Sequence, residues 1–82
     1  MTKFETNPSV VEGDTISLVG ARVVDFDVGS SICTIDFRLW NETGDLYYRE
    51  LWTTDLSSIT DWRDGSSVFQ AIANYKGFTL KE

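Results

Sequence analysis

Residues 32–53 carry more large side chains than one face of a β-hairpin can hold, and that surplus limits what the chain can fold into. The segment reads ICTIDFRLW, then NETGD, then LYYRELWT. Cys33, Ile35, Phe37 and Leu39 recur at period two and fill one face. A hairpin with one buried face and one wet face is polar on alternate residues. Trp40, Tyr47, Tyr48 and Trp52 cannot all join the Cys33–Leu39 face, whatever the register. Aromatic surface is left over for a second layer, a partner chain or a ligand.

The hairpin loop reads in two ways. Asn41-Glu42-Thr43-Gly44 fits a type I turn with Gly44 left-handed, which pairs Asn41 with Asp45. That register sets Asp36 opposite Glu50, a like-charge pair that is unfavourable. A four-residue loop shifts the register by one and sets Asp36 opposite Arg49. The glycine favours the first and the charges favour the second. Turn chemistry fixes hairpin register directly, so the first is carried forward. In it Trp40 lies beside Leu46, Arg38 beside Tyr48 and Thr34 beside Trp52, on the face opposite Cys33–Leu39. The expected protein interface is therefore Arg38, Trp40, Leu46, Tyr48 and Trp52, with Trp40 and Trp52 as anchors, because tryptophan, tyrosine and arginine dominate interface hot spots. The plainer reading of these aromatics is core, and for Trp62 the core reading is preferred.

Upstream, Thr15 to Val28 reads as a strand whose apolar parity switches. Val19, Ala21 and Val23 share one parity, and Val24, Phe26 and Val28 the other. One extra residue near Val23–Val24, a bulge, reverses the facing in that way. Residues 1–13 read as an N-terminal arm interrupted by Pro8, with a turn at Gly13-Asp14. Residues 54–65 form a polar connector, with a single helical turn expected around Ile59 to Arg63. Ser67 to Lys76 is the clearest helix. It opens on the capping pattern Ser67-Val68-Phe69-Gln70, carries Val68, Ile72 and Tyr75 on one stripe, and is closed by Gly77. The expected architecture is α+β: an antiparallel sheet of three or four strands with the C-terminal helix on one face, in the order β-β-β-α. The domain division is an arm, 1–13, and a single α+β domain, 14–82.

Composition excludes several functions. A chain of 82 residues buries only about 60% of its unfolded surface, so it gains from oligomerisation or docking. Cys33 is the only cysteine and there is no histidine, which removes intrachain disulfides and zinc sites of nitrogen and sulfur ligands. The same absence leaves the serines without a base to activate them. Asp25 and Asp27 share a strand face and could act as a carboxylate pair, but strand alternation alone accounts for them. Asp55, Asp61 and Asp64 do not fit a calcium-loop spacing, and capping and solvation are preferred. The chain is therefore expected to be no enzyme and to use no cofactor or metal. Thirteen acidic against seven basic residues give a net charge of −6, which argues against direct nucleic-acid binding. No apolar run reaches a membrane span. The N-terminus has no signal-peptide core, so an intracellular or virion location is expected rather than secretion.

Taken together, the hairpin closed by NETGD, the connector containing Trp62 and the amphipathic helix ending in GFTL resemble small bacteriophage-encoded accessory or virion proteins. The resemblance covers about Phe37 to Leu80 and is one of style, with no specific motif. It implies a non-catalytic protein that docks on other subunits, and an arm, Thr2 to Val11, that clasps a neighbour. The expected function is a protein-binding or assembly module, as a homo-oligomer or within a larger assembly. The alternative is an acidic inhibitor or regulator of a host factor that mimics nucleic acid. Salt separates the two, since an acidic mimic loses its partner steeply as salt rises.

Overall fold

Three long strands follow one another as a meander, and the chain's two ends close one side of it. The computed structural model describes residues 2–27, 29–55 and 65–81. The elements are β1 (Thr2–Glu5), β2 (Val10–Val11), β3 (Asp14–Asp27), β4 (Ile32–Asn41), β5 (Leu46–Asp55) and α1 (Gly65–Lys76). The sheet is antiparallel throughout, in the order β1-β3-β4-β5, with β2 paired to the start of β3. This is the expected α+β arrangement, with strands preceding a C-terminal helix. Strands β1 and β2, both from the expected arm, bring the count to five.

Residues 2–11 are thus a sheet edge rather than a loose arm. Phe4 pairs with Val19, and Val11 with Asp14. Glu12 and Gly13 both have positive φ, 53° and 87°, the type I′ geometry that matches strand twist. The C-terminal tail holds the far side. Leu80 bridges to Thr6, Asn7 N donates to Thr79 O at 3.0 Å, and Lys81 N donates to Glu5 O at 3.0 Å. These contacts span almost the whole chain, which is why the local sequence of the arm does not reveal them.

Three extra residues set which side chains face α1. The expected bulge lies at Val24, between the pairs Val23–Ile35 and Asp25–Thr34. It leaves Val24 exposed and returns Phe26 to the helix side, opposite Cys33. A second at Ser17 lets both Ile16 and Val19 point into the core. The third is Tyr47. The turn itself forms as expected: Gly44 has φ 86°, and Asn41 N donates to Asp45 O at 2.9 Å. Trp40 also pairs with Leu46 as expected, but Leu39 pairs with Tyr48 and skips Tyr47. The rest of β5 is therefore shifted by one, and Asp36 faces Leu51 rather than Glu50 or Arg49.

The core lies between the sheet and α1. Cys33, Ile35, Phe37 and Leu39 of β4 are fully buried, as are Ile72 and Ala73 of α1. The helix starts at Gly65, two residues before the Ser67 capping pattern. It ends as expected, with Gly77 at φ 81° and the amides of Gly77 and Phe78 both bonded to Ala73 O. Phe78 then folds back and is buried. The expected turn at Ile59 to Arg63, Trp62, Asp61 and Asp64 lie outside the described residues.

Candidate functional site

The register decides which hairpin side chains are available to a ligand. Paired residues in an antiparallel ladder share a face. Tyr48 pairs with Leu39 and Trp52 with Ile35, so both stand on the helix side. Trp52 stacks on Tyr75 of α1, centroids 4.4 Å apart and planes at 2°, and meets the edge of Phe37 at 6.4 Å. The expectation that Trp40 and Trp52 anchor one face is therefore corrected. The cause is the single extra residue at Tyr47, which turns every later β5 side chain over. Of the five expected interface residues, Arg38, Trp40 and Leu46 share the open face, and Tyr48 and Trp52 lie beneath the helix. Arg49 and Leu51 take their places.

On the helix side, the polar tips of these aromatics form a closed cluster. The Glu50 carboxylate accepts from Tyr48 Oη, from Tyr75 Oη at 2.7 Å and from Lys76 Nζ at 3.1 Å. Lys76 Nζ also reaches Glu12 at 2.7 Å and the Tyr48 hydroxyl at 3.2 Å. Burial pushes the Glu50 carboxyl up, but the hydrogen bonds from Tyr48, Tyr75 and Lys76 outweigh it and hold the group below its usual value. Burial likewise disfavours the Lys76 ammonium, and its bonds to Glu12, Glu50 and Tyr48 reverse that and raise its pKa. The hydrogen bond to Glu50, with burial, raises Tyr48. The cluster joins α1 to β5 and to the β2–β3 turn. Cys33 is sealed in the core on the same side, and burial pushes its thiol up.

The opposite face of the sheet is crossed by no described element. Its ladder can be read in rows from one end to the other. Glu5, Leu18, Trp40 and Leu46 form the first, and Lys3, Gly20, Arg38 and Arg49 the second. Arg22, Asp36 and Leu51 form the third, and Asp25, Thr34 and Thr53 the fourth. Asp27, Ile32 and Asp55 close the face beside the 29–31 turn. Lys3 Nζ lies 4.3 Å from the Trp40 ring centre, a cation–π contact.

Asp36 organises the middle of this face. Its side chain is 1% exposed, and a carboxylate so buried needs close cationic partners. Arg49 grips it with two donors, Nε at 3.2 Å and Nη2 at 3.1 Å. Arg38 Nη2 stands at 3.5 Å and Arg22 Nη2 at 3.9 Å. Arg38 and Arg49 are directly opposed, a like-charge pair that the carboxylate between them makes tolerable. Three guanidiniums against one carboxylate leave surplus positive charge. Arg38 Nε is buried without an acceptor among the described residues. Sequence alternation alone places Asp36 beside Arg38. Arg22 and Arg49 join them only through cross-strand pairing, so the cluster was missed.

Two shallow clefts flank the sheet, one of about 280 Å³ lined by Trp52, Ala71, Asn74 and Tyr75, the other of about 340 Å³ beside Glu5, Thr6 and Leu18. Among the described residues no group of three metal-ligating side chains converges, and no described helix is long and apolar enough to cross a membrane. The chain matches no family model, no curated protein and no solved structure.

Proposed function

We propose that this chain is a non-catalytic protein-binding module, an assembly or accessory component that docks on other protein subunits through the open face of its sheet. The observation that carries the reading is the content of that face. Trp40, Leu46 and Leu51 stand among Arg22, Arg38 and Arg49, with Leu46 49% and Leu51 63% exposed. Tryptophan and arginine are the residues enriched at protein interfaces, and exposed apolar area of this kind is what a partner buries. The bacteriophage resemblance in the sequence agrees with a docking role in a virion or accessory complex. The acidic-mimic alternative is less favoured by this face, because its centre carries Lys3, Arg22, Arg38 and Arg49 around a buried Asp36 and its exposed acids Asp25, Asp27 and Asp55 are confined to one end.

The test compares affinity capture from cell extract by the parent, by Trp40→Ser and by Gln70→Lys on the exposed side of α1. Proteins held by the parent and by Gln70→Lys but lost with Trp40→Ser support the reading. Retention of the same set by the folded Trp40→Ser variant overturns it.

A further inference from the structure

Apart from Glu5 at the outer edge, which pairs with Lys81 at 3.6 Å, the open face is divided across its strands into regions of opposite charge. Beside the 29–31 turn stand Asp25, Asp27 and Asp55, with Thr34, Thr53 and Ile32 between them. Past Thr34 the sign reverses. Arg22, Arg38, Arg49 and Lys3 fill the next two rows, and their one acid, Asp36, is buried under guanidiniums. Asp25 and Asp27 are held by local hydrogen bonds. Asp25 Oδ1 accepts from Phe26 N at 2.9 Å, and Asp27 accepts from Ser30 N and Oγ at 3.3 Å and 3.0 Å. Scattered charge is enough for solubility. A border drawn across three strands is a pattern that complements itself.

We propose that this face pairs with the same face of a second copy of the chain, about a two-fold axis lying across the strands between Thr34 and Asp36. The inference rests on the reading of the open face as a protein-docking surface and names its partner. Rotation about such an axis turns a second sheet over and lays β3 on β3, β4 on β4 and β5 on β5. Their strands are then aligned within about 30°, the usual arrangement of face-to-face sheets. Same-face residues repeat every ~7 Å along a strand, so an axis midway between two rows exchanges them in order. Arg22 meets Asp25 of the second copy. Arg49 meets its Asp55. Its Asp27 descends over Gly20, which has no side chain, between Lys3 and Arg38. The interface is isologous, so each contact occurs twice. Exposed Leu51 and Ile32 lose water on either side of the axis, and Trp40 lies over the other copy's 29–31 turn.

The experiment is sedimentation equilibrium at low salt on four samples: the parent, Arg22→Glu, Asp25→Arg, and an equimolar mixture of the two variants. Circular dichroism establishes that each variant is folded. The parent is expected to form a reversible dimer that weakens as salt screens the charges. Each variant alone sets like charges against each other twice, and its self-association falls about 100-fold. The mixture regains the dimer. There the introduced glutamate faces the introduced arginine, and the untouched Asp25 and Arg22 face each other at the second contact. Contacts within one chain cannot produce that rescue. A parent that is monomeric at every concentration overturns the proposal, as does a mixture no more associated than its components. If the parent is monomeric while Trp40→Ser still loses captured proteins, the second copy is refuted and the docking face stands. If both tests fail, the two readings fall together.

Discussion

The two sides of β4 bury their side chains by different means. Toward α1, Cys33, Ile35, Phe37 and Leu39 are covered by a second layer. On the other side, Asp36 is just as buried, at 0% exposure, yet no described element lies above it. Its cover is made of the stems and guanidiniums of Arg22, Arg38 and Arg49, long side chains that hide a neighbour while their own heads stay wet. One face is closed by architecture and the other by its own side chains. The first excludes partners. The second keeps charge and apolar surface within reach of them.

The contrast can be broken at its strongest point first. Phe37→Ala should destabilise the chain by about 3–5 kcal/mol, because it removes a ring that meets Trp52 and Tyr75 edge-on. Urea unfolding measures it, and a loss under about 1 kcal/mol would mean that the helix does not seal this face. Native Cys33 should react with a thiol reagent roughly 1,000-fold more slowly than in urea, since only opening of the core exposes it. Rapid native labelling would contradict the sealed core. Asp36→Ala should cost about 3 kcal/mol, the lower end for breaking a buried ion pair, because Arg22 and Arg49 can rehydrate. A neutral result would show that the arginines do not depend on it.

Glu50 sharpens the comparison through pH. Its folded pKa lies below its ordinary 4.5, so its contribution is complete above that value and is lost as pH falls through the folded one. The urea midpoint of the parent should drop below pH 4.5, and Glu50→Gln should flatten that part of the curve. Equal acid sensitivity in the two proteins would remove the cluster from the account. The smallest effect is expected on the open face. Trp40→Ser should change stability by no more than about 1 kcal/mol, chiefly the Lys3 contact. A larger loss would show that Trp40 supports the fold itself.

The sequence was legible where a local signal broke a pattern. The parity change between Val23 and Val24 marked the bulge in β3, and Gly44 marked the turn. Gly77 marked the helix end. Tyr47 left no such trace. Two adjacent tyrosines fit either facing, so nothing local shows that one of them is extra. From that single residue follow the misplacement of Tyr48 and Trp52 and the missed Arg49. The order of β1 was hidden for another reason: it pairs with β3, and its end is closed by residues near 80, neither of which the local sequence of the arm shows.

The bridge between Thr6 and Leu80 has a consequence for synthesis. The first strand leaves the ribosome early, but the segment that seals its end emerges some seventy residues later. Until residues 70–81 have emerged, the meander of β3, β4 and β5 has no segment to close its edge, and Glu5 and Asn7 lack the Lys81 and Thr79 backbone groups they bond in the finished fold. The helix is also incomplete at that stage, so the core side of the sheet is bare. The edge of the sheet therefore closes only once the segment around residue 80 is in place, and a chain truncated before Thr79 should be cut by protease near Phe4 faster than the 82-residue chain.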